Sequence, residues 1–305
     1  MVHVGEQRLQ PRRAGRRVTG IHRPYSYLRG AEPSVTTILD LLPKPGLSWA
    51  AAKETAVFAV RHPEKWKHLP EADAVDVLRK HHRGIWDGRA ANGTLAHAVN
   101  EAYCAGEDVD LEKLIAHTIE TDRNARTWRD RDLDDLIESV LGYVLGLEAW
   151  WSDWQPSNVC SEVVVRWPRL YIGQTDLRCT CGGDDWLWDV KTTSKLDEDQ
   201  GLYTDAWTCQ LAMYGAALET VTYETDDAPE LKRGFRVREV GTGAWSRPQR
   251  YGVIHLRGDE SYTAFEVDVT PDVVRTVFRL ARAYHGLKRI PERPRVANAH
   301  KEQAA

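Results

Sequence analysis

The chain has 305 residues, 42% of them hydrophobic and 28% charged, which excludes a wholly disordered polypeptide and fits one large domain or two small ones. No apolar run reaches the roughly 18 residues of a membrane-spanning helix, and the arginine-rich N-terminus has no apolar segment behind it to make a secretory signal, so a cytoplasmic protein with no membrane contact is expected. The formal charge of −4 advertises no polyanion partner, and five scattered cysteines suit a reducing compartment better than a disulfide framework.

Residues 1–30 read as a flexible basic arm, in which Arg8, Arg12, Arg13, Arg16, Arg17 and Arg23 stand against one acid, Glu6. Such an arm is a solvated tail or a phosphate-contacting one. Residues 31–290 form the expected single domain, with a largely helical part over 31–155 and a sheet core over 156–290. Residues 291–305 are a polar tail with two prolines, Pro291 and Pro294.

Within the helical part, Ser34 is a candidate cap for a helix through Leu39. Helices are then expected over Trp49–Val60, Asp73–Trp86, Thr94–Tyr103 after Gly93, and Leu133–Trp151, the last with Leu136, Ile137, Val140, Leu141, Val144 and Leu147 as its apolar stripe. Strands follow at Cys160–Trp167, Tyr171–Thr180 and Trp186–Thr192, the last two joined by Gly182-Gly183, a hairpin signal because both glycines tolerate positive φ. Tyr203–Leu218 reads as a helix, Tyr251–Leu256 and Ala264–Val269 as a second hairpin, and Thr270-Pro271 as the start of a last helix. Residues 221–250 are charged, show no clear period and read as a long loop or insertion.

The first hairpin carries the chemistry. A turn centred between the two glycines sets Asp176 opposite Asp189 and Gln174 opposite Lys191. Facing carboxylates with Cβ atoms about 5 Å apart repel unless a cation lies between them. A hard divalent ion such as Mg²⁺ or Mn²⁺ meets that need with few carboxylates and water. Strand alternation puts Asp189 and Lys191 on one face and Trp186, Trp188 and Val190 on the other. A lysine beside such a site can orient a water or offset charge on a phosphate. His97 and Glu101, four apart on a helix, share a face, and a histidine with a carboxylate can complete a metal site. Gln210 and Tyr214 have the same spacing on the later helix.

In chain order these residues form G-T-x-x-H (93–97), E-V-V-V (162–165), G-x-x-D (173–176), D-x-K (189–191) and Q-x-x-x-Y (210–214). With the stretch from Pro33 to Thr55, this series resembles the RecB-type nucleases of the PD-(D/E)XK superfamily, near the CRISPR-associated adaptation nucleases and related phage exonucleases. The resemblance implies an α/β fold with a restriction-endonuclease-like core, a mixed central sheet flanked by helices. It implies a metal-dependent deoxyribonuclease, most simply an exonuclease of recombination, repair or phage DNA processing. By the same resemblance His97, Asp176 and Asp189 bind Mg²⁺ or Mn²⁺, Lys191 assists hydrolysis, Gln210 and Tyr214 lie near DNA, and Glu162 is a first-strand glutamate of the site. DNA is the implied partner, with a helicase, recombination or single-strand annealing protein as a further one. A non-catalytic DNA-binding module and a structure-specific or restriction-type endonuclease remain open alternatives. Many such relatives carry a four-cysteine iron–sulfur cluster. Here the sequence has no cysteine before Cys104 and none after Cys209, so no cluster is expected, and Cys179 and Cys181 read as packing residues. Most of the 12 tryptophans read as core, with Trp207 a candidate for stacking on a base.

Overall fold

The computed structural model describes residues 32–193, 204–227 and 235–288; the basic arm and the polar tail lie outside them. Seven α-helices and seven strands are described. They are α1 (Val35–Leu39), α2 (Pro45–Arg61), α3 (Glu71–Ala105), α4 (Leu111–Thr121), α5 (Leu133–Trp154), β1 (Ser157–Trp167), β2 (Tyr171–Cys181), β3 (Asp184–Thr193), α6 (Thr204–Ala216), β4 (Glu219–Asp227), β5 (Phe235–Ala244), β6 (Arg250–Arg257), β7 (Tyr262–Glu266) and α7 (Pro271–Leu287). The fold is mixed α/β. A seven-stranded sheet runs in the order β5-β4-β1-β2-β3-β6-β7, antiparallel throughout except for the parallel pair β3 and β6. None of the described helices is long and apolar enough to cross a membrane.

The helix starts follow local capping chemistry. Ser34 Oγ accepts from Thr37 N, Asp110 from Lys113 N, Asp132 from Asp134 N and Thr270 from Val273 N, each satisfying a donor the first helical turn leaves open. The expected break at Gly93 is corrected, because α3 is one helix of 35 residues that runs through Gly84, Gly88 and Gly93 and ends at Gly106, with φ 69°. Each interior glycine costs a helix about 1 kcal/mol. Here they lie where a neighbour comes close: a Cβ on Gly93 would sit 3.5 Å from Thr192 Oγ1 on β3, and one on Gly88 3.8 Å from Thr127 Oγ1. Tertiary packing outweighs propensity. The same close approach is stronger in α5, where a Cβ on Gly142 would lie 2.1 Å from the Gly258 carbonyl oxygen. That atom is backbone and cannot turn aside. Gly142→Ala is therefore expected to lower stability by about 3 kcal/mol although alanine favours helix, as a chemical-denaturation midpoint will show.

The β2–β3 hairpin has the register its sequence implies. Pairs run from Cys181–Asp184 to Leu177–Trp188, and Gly182 and Gly183 turn the chain at φ 59° and 91°. Residues 221–250 are corrected in turn, since β4 and β5 pair antiparallel over most of that stretch and extend the sheet past β1. Their alternating charges, such as Arg238 paired with Glu224 across the ladder, mark a wet edge and not a loop.

Helices cover both faces. On one, α3 and α5 enclose Leu177, Cys179, Cys181, Trp186, Trp188 and Val190. The Cys179 and Cys181 sulfurs lie 3.4 Å apart in this layer. On the other, α1, α6 and α7 enclose Tyr171, Leu187, Leu211, Met213 and Val253. Trp186 and Trp188 thus point opposite to Leu187, as alternation requires. Along β2 the alternation breaks. Tyr171 and Leu177 have the same parity yet pack in different layers. The change of face falls around Asp176 and, across the ladder, Glu162, which stands in β1 at φ 56°. A glutamate in the left-handed region inside a strand is a local strain that re-aims the side chain.

Candidate metal centre

The re-aimed residues meet His97 of α3. His97 Nδ1 lies 3.7 Å from Glu162 Oε1 and 3.7 Å from Asp176 Oδ1. The three ligand atoms fall within 4.8 Å of one another, and Nδ1 is a buried atom with no hydrogen-bond partner. Those separations are too long for hydrogen bonds. They suit an ion: oxygen and nitrogen ligands at about 2.1 Å from Mg²⁺ stand about 3 Å apart when adjacent and about 4.2 Å apart when opposite. The residues present could therefore hold a metal ion. Asp176 is fixed for this role, since its Oδ2 accepts from Val190 N at 2.7 Å and leaves Oδ1 toward His97.

Asp189 stands beside this group and not within it. It is 1% exposed on β3, with Oδ2 2.5 Å from Lys191 Nζ and Oδ1 accepting from Gln210 Nε2 at 2.9 Å. Lys191, expected toward a phosphate, is paired with Asp189 here. Gln210 Nε2 also donates to Tyr214 OH at 3.0 Å. Tyr214 is buried over Gly173, where a Cβ would come within 2.5 Å of its ring. So the Q-x-x-x-Y pair supports Asp189 from α6. Glu101, one turn beyond His97, is half-buried and outside the three-residue group. Trp207 is half-buried, its ring 5.8 Å from that of His255.

Sequence reasoning set Asp189 ahead of Glu162 as a ligand because hairpin register is legible and a positive φ at a glutamate is not. It also missed Asn100. Buried polar Asn100 lies three residues after His97 on α3, and the signal was an asparagine on the helix face that carries the histidine.

The electrostatics couple these groups. Burial works to lower the His97 pKa, but the charge of Asp176 and then Glu162 outweigh it and lift it from 6.5 to about 9. In the metal-free protein the imidazolium is the cation between the two acids. Asp189 is pushed from 3.8 to about 7, first by burial and then by Asp176, with Lys191 opposing. Both groups favour the protonated form in the fold. His97 contributes stability that is complete below pH 6.5 and lost as the pH rises through 9. The Asp189 contribution is complete below pH 3.8 and lost through pH 7. The melting temperature of protein in EDTA is expected to fall steadily from pH 6 to 9, and Asp189→Asn to remove only the part below about pH 7. A flat profile would contradict the electrostatic account.

No family model matches this chain, and no curated protein does. Among solved structures, one titled "Crystal structure of SSO0001" matches over 65% of this chain and 87% of that one, at 14% identity and a TM-score of 0.29. A likeness at that level carries no argument about this protein.

Proposed function

We propose that the chain is a metal-dependent deoxyribonuclease with a restriction-endonuclease-like core, acting as an exonuclease on phosphodiester bonds. The observation that carries this reading is the buried, unpartnered His97 Nδ1 held 3.7 Å from two carboxylates, with Lys191 and Asp189 on the next strand. The order of motifs from G-T-x-x-H to Q-x-x-x-Y supports it, and DNA as substrate rests on that resemblance.

His97, Glu162 and Asp176 hold Mg²⁺ or Mn²⁺ in this reading. Such an ion, when bound, supplies positive charge at the scissile phosphate and makes a bound water more acidic. The protein's own groups do the rest. Glu162 and Asp176 would offer carboxylate oxygens to the ion, and His97 would offer Nδ1. Asp189 Oδ2 keeps Lys191 Nζ at the edge of the site, where the ammonium donates to a non-bridging phosphate oxygen as negative charge develops. Gln210 holds the second oxygen of Asp189, so the carboxylate cannot rotate away from Lys191.

The test is a time course on 5′- and 3′-labelled single- and double-stranded DNA with Mg²⁺, Mn²⁺ or EDTA. Stepwise shortening in either metal and none in EDTA is the expected result. Intact DNA in every arm would sink the nuclease reading; a few discrete internal cuts would replace the exonuclease by an endonuclease.

A further inference from the structure

We propose that Asn100 is a positioning residue that sets the gap into which the metal ion fits; the assignment rests on the metal reading of His97, Glu162 and Asp176. Asn100 is 1% exposed, and its amide is used on both sides. Nδ2 donates to the backbone carbonyl of Asp176 at 3.3 Å, and Oδ1 accepts from Trp151 Nε1 of α5 at 3.4 Å. One side chain therefore ties three elements together: α3, which carries it, β2 and α5.

The position on α3 gives this tie its meaning. Residues three apart lie on one helix face, about 4.5 Å apart along the axis. His97 and Asn100 therefore approach the same strand residue at two points, His97 at the Asp176 carboxylate and Asn100 at the Asp176 carbonyl. Val190 N holds Asp176 Oδ2 from the far side. Only Oδ1 is left toward His97, and the depth at which α3 rests on β2 fixes the Nδ1 to Oδ1 distance. A gap of 3.7 Å with no direct bond across it is not self-maintaining, because a ring N–H and a carboxylate oxygen free to approach would close to hydrogen-bond length. Something outside the pair keeps it open, and Asn100 is the polar contact nearest in the chain that can. A leucine or alanine would pack against the neighbouring Val99 and Ala96 layer as well, but neither could meet both the carbonyl and the indole N–H.

Asn100→Asp keeps the shape and the acceptor for Trp151 but loses the donor to Asp176. Trp151→Phe keeps a ring at α5 and removes the other tie. Val277→Ala is the control: Val277 is buried on α7, in the opposite layer, so it lowers stability away from the site. Mn²⁺ affinity is measured by calorimetry on the full chain, alongside thermal unfolding in EDTA. We expect Asn100→Asp to lose about tenfold or more in Mn²⁺ affinity, Trp151→Phe to lose less in the same direction, and Val277→Ala to bind as wild type despite its lower melting temperature. Wild-type affinity in Asn100→Asp overturns the assignment, and so does an equal loss in Val277→Ala, which would mean that affinity merely follows stability. Should Asn100→Asp fail to fold, Trp151→Phe decides alone: weakened binding upholds the assignment and wild-type binding overturns it. Absence of Mn²⁺ binding in the wild-type protein overturns the metal reading, and this one with it.

Discussion

Lys191→Ala is expected to slow DNA cleavage by two to three orders of magnitude while leaving Mn²⁺ affinity within a few-fold of wild type. Lys191 Nζ touches Asp189 Oδ2, which stands beside the three-residue group and not in it, so no ligand is lost with the lysine. In the proposed reaction, what disappears is an ammonium that would meet charge present only in the transition state, and such a loss appears in the rate rather than in ground-state binding. Asp189 then loses its counter-charge and stays protonated to a higher pH, which spares the fold an unpaired buried carboxylate. Glu162→Gln separates the two roles. It keeps size and hydrogen bonding, removes one of two negative charges beside His97, and is expected to weaken Mn²⁺ binding on the order of a hundredfold, the scale for removing one partner of a buried charge pair. Calorimetric titration beside a cleavage assay distinguishes them. Full activity in Lys191→Ala, or unchanged Mn²⁺ affinity in Glu162→Gln, would remove these residues from their assigned places.

Trp188→Ala is the substitution expected to cost most stability, about 4 kcal/mol. Its ring stacks on Trp186 at 4.6 Å and meets Trp154 and Trp150 edge-on at 4.9 and 5.4 Å. Gly252 on β6 exists to admit it, since a Cβ there would fall 2.1 Å from Trp188 Cζ3. With glycine as neighbour, no side chain can move in to fill the void, so the cavity persists and its full penalty is felt. Urea unfolding followed by circular dichroism should show a lower midpoint at unchanged slope. A loss below about 1 kcal/mol would mean that the aromatic layer repacks.

The parts of this protein that were legible in the sequence are those whose period and turn chemistry agree. The register of β2 against β3 followed from Gly182-Gly183, and the opposite facing of Asp189 and Trp188 from simple alternation. The helix at Leu133 announced itself by its apolar stripe, while the Asp132 cap before it came only with the structure. Legibility failed where tertiary contacts decide. Gly93 breaks no helix because β3 packs against it, and residues 111–121 form α4 in a stretch where no element was expected. The charged residues of β4 and β5 hid a hairpin, because only Val221 and Tyr223 of β4 carry its packing against Val164 and Ile172. At the site, the hairpin register pointed to Asp176 and the family resemblance to His97, but the closeness of Glu162 to His97 goes with a positive φ at Glu162, which no periodicity encodes.

The parallel joining of β3 to β6 bears on how the molecule assembles. His97, Glu162, Asp176, Asp189 and Lys191 all lie between the start of α3 and the end of β3, on elements that reach one another through antiparallel turns and a helix laid over them. The parallel strand arrives only after the chain has built α6, β4 and β5, and pairing across so long an intervening stretch closes a large loop. The half that carries His97, Glu162 and Asp176 can therefore gather early during synthesis, whereas α6, which brings Gln210 to Asp189, and β6, whose Gly252 seats Trp188, join late. A metal ion captured there at that early stage would act as a folding nucleus.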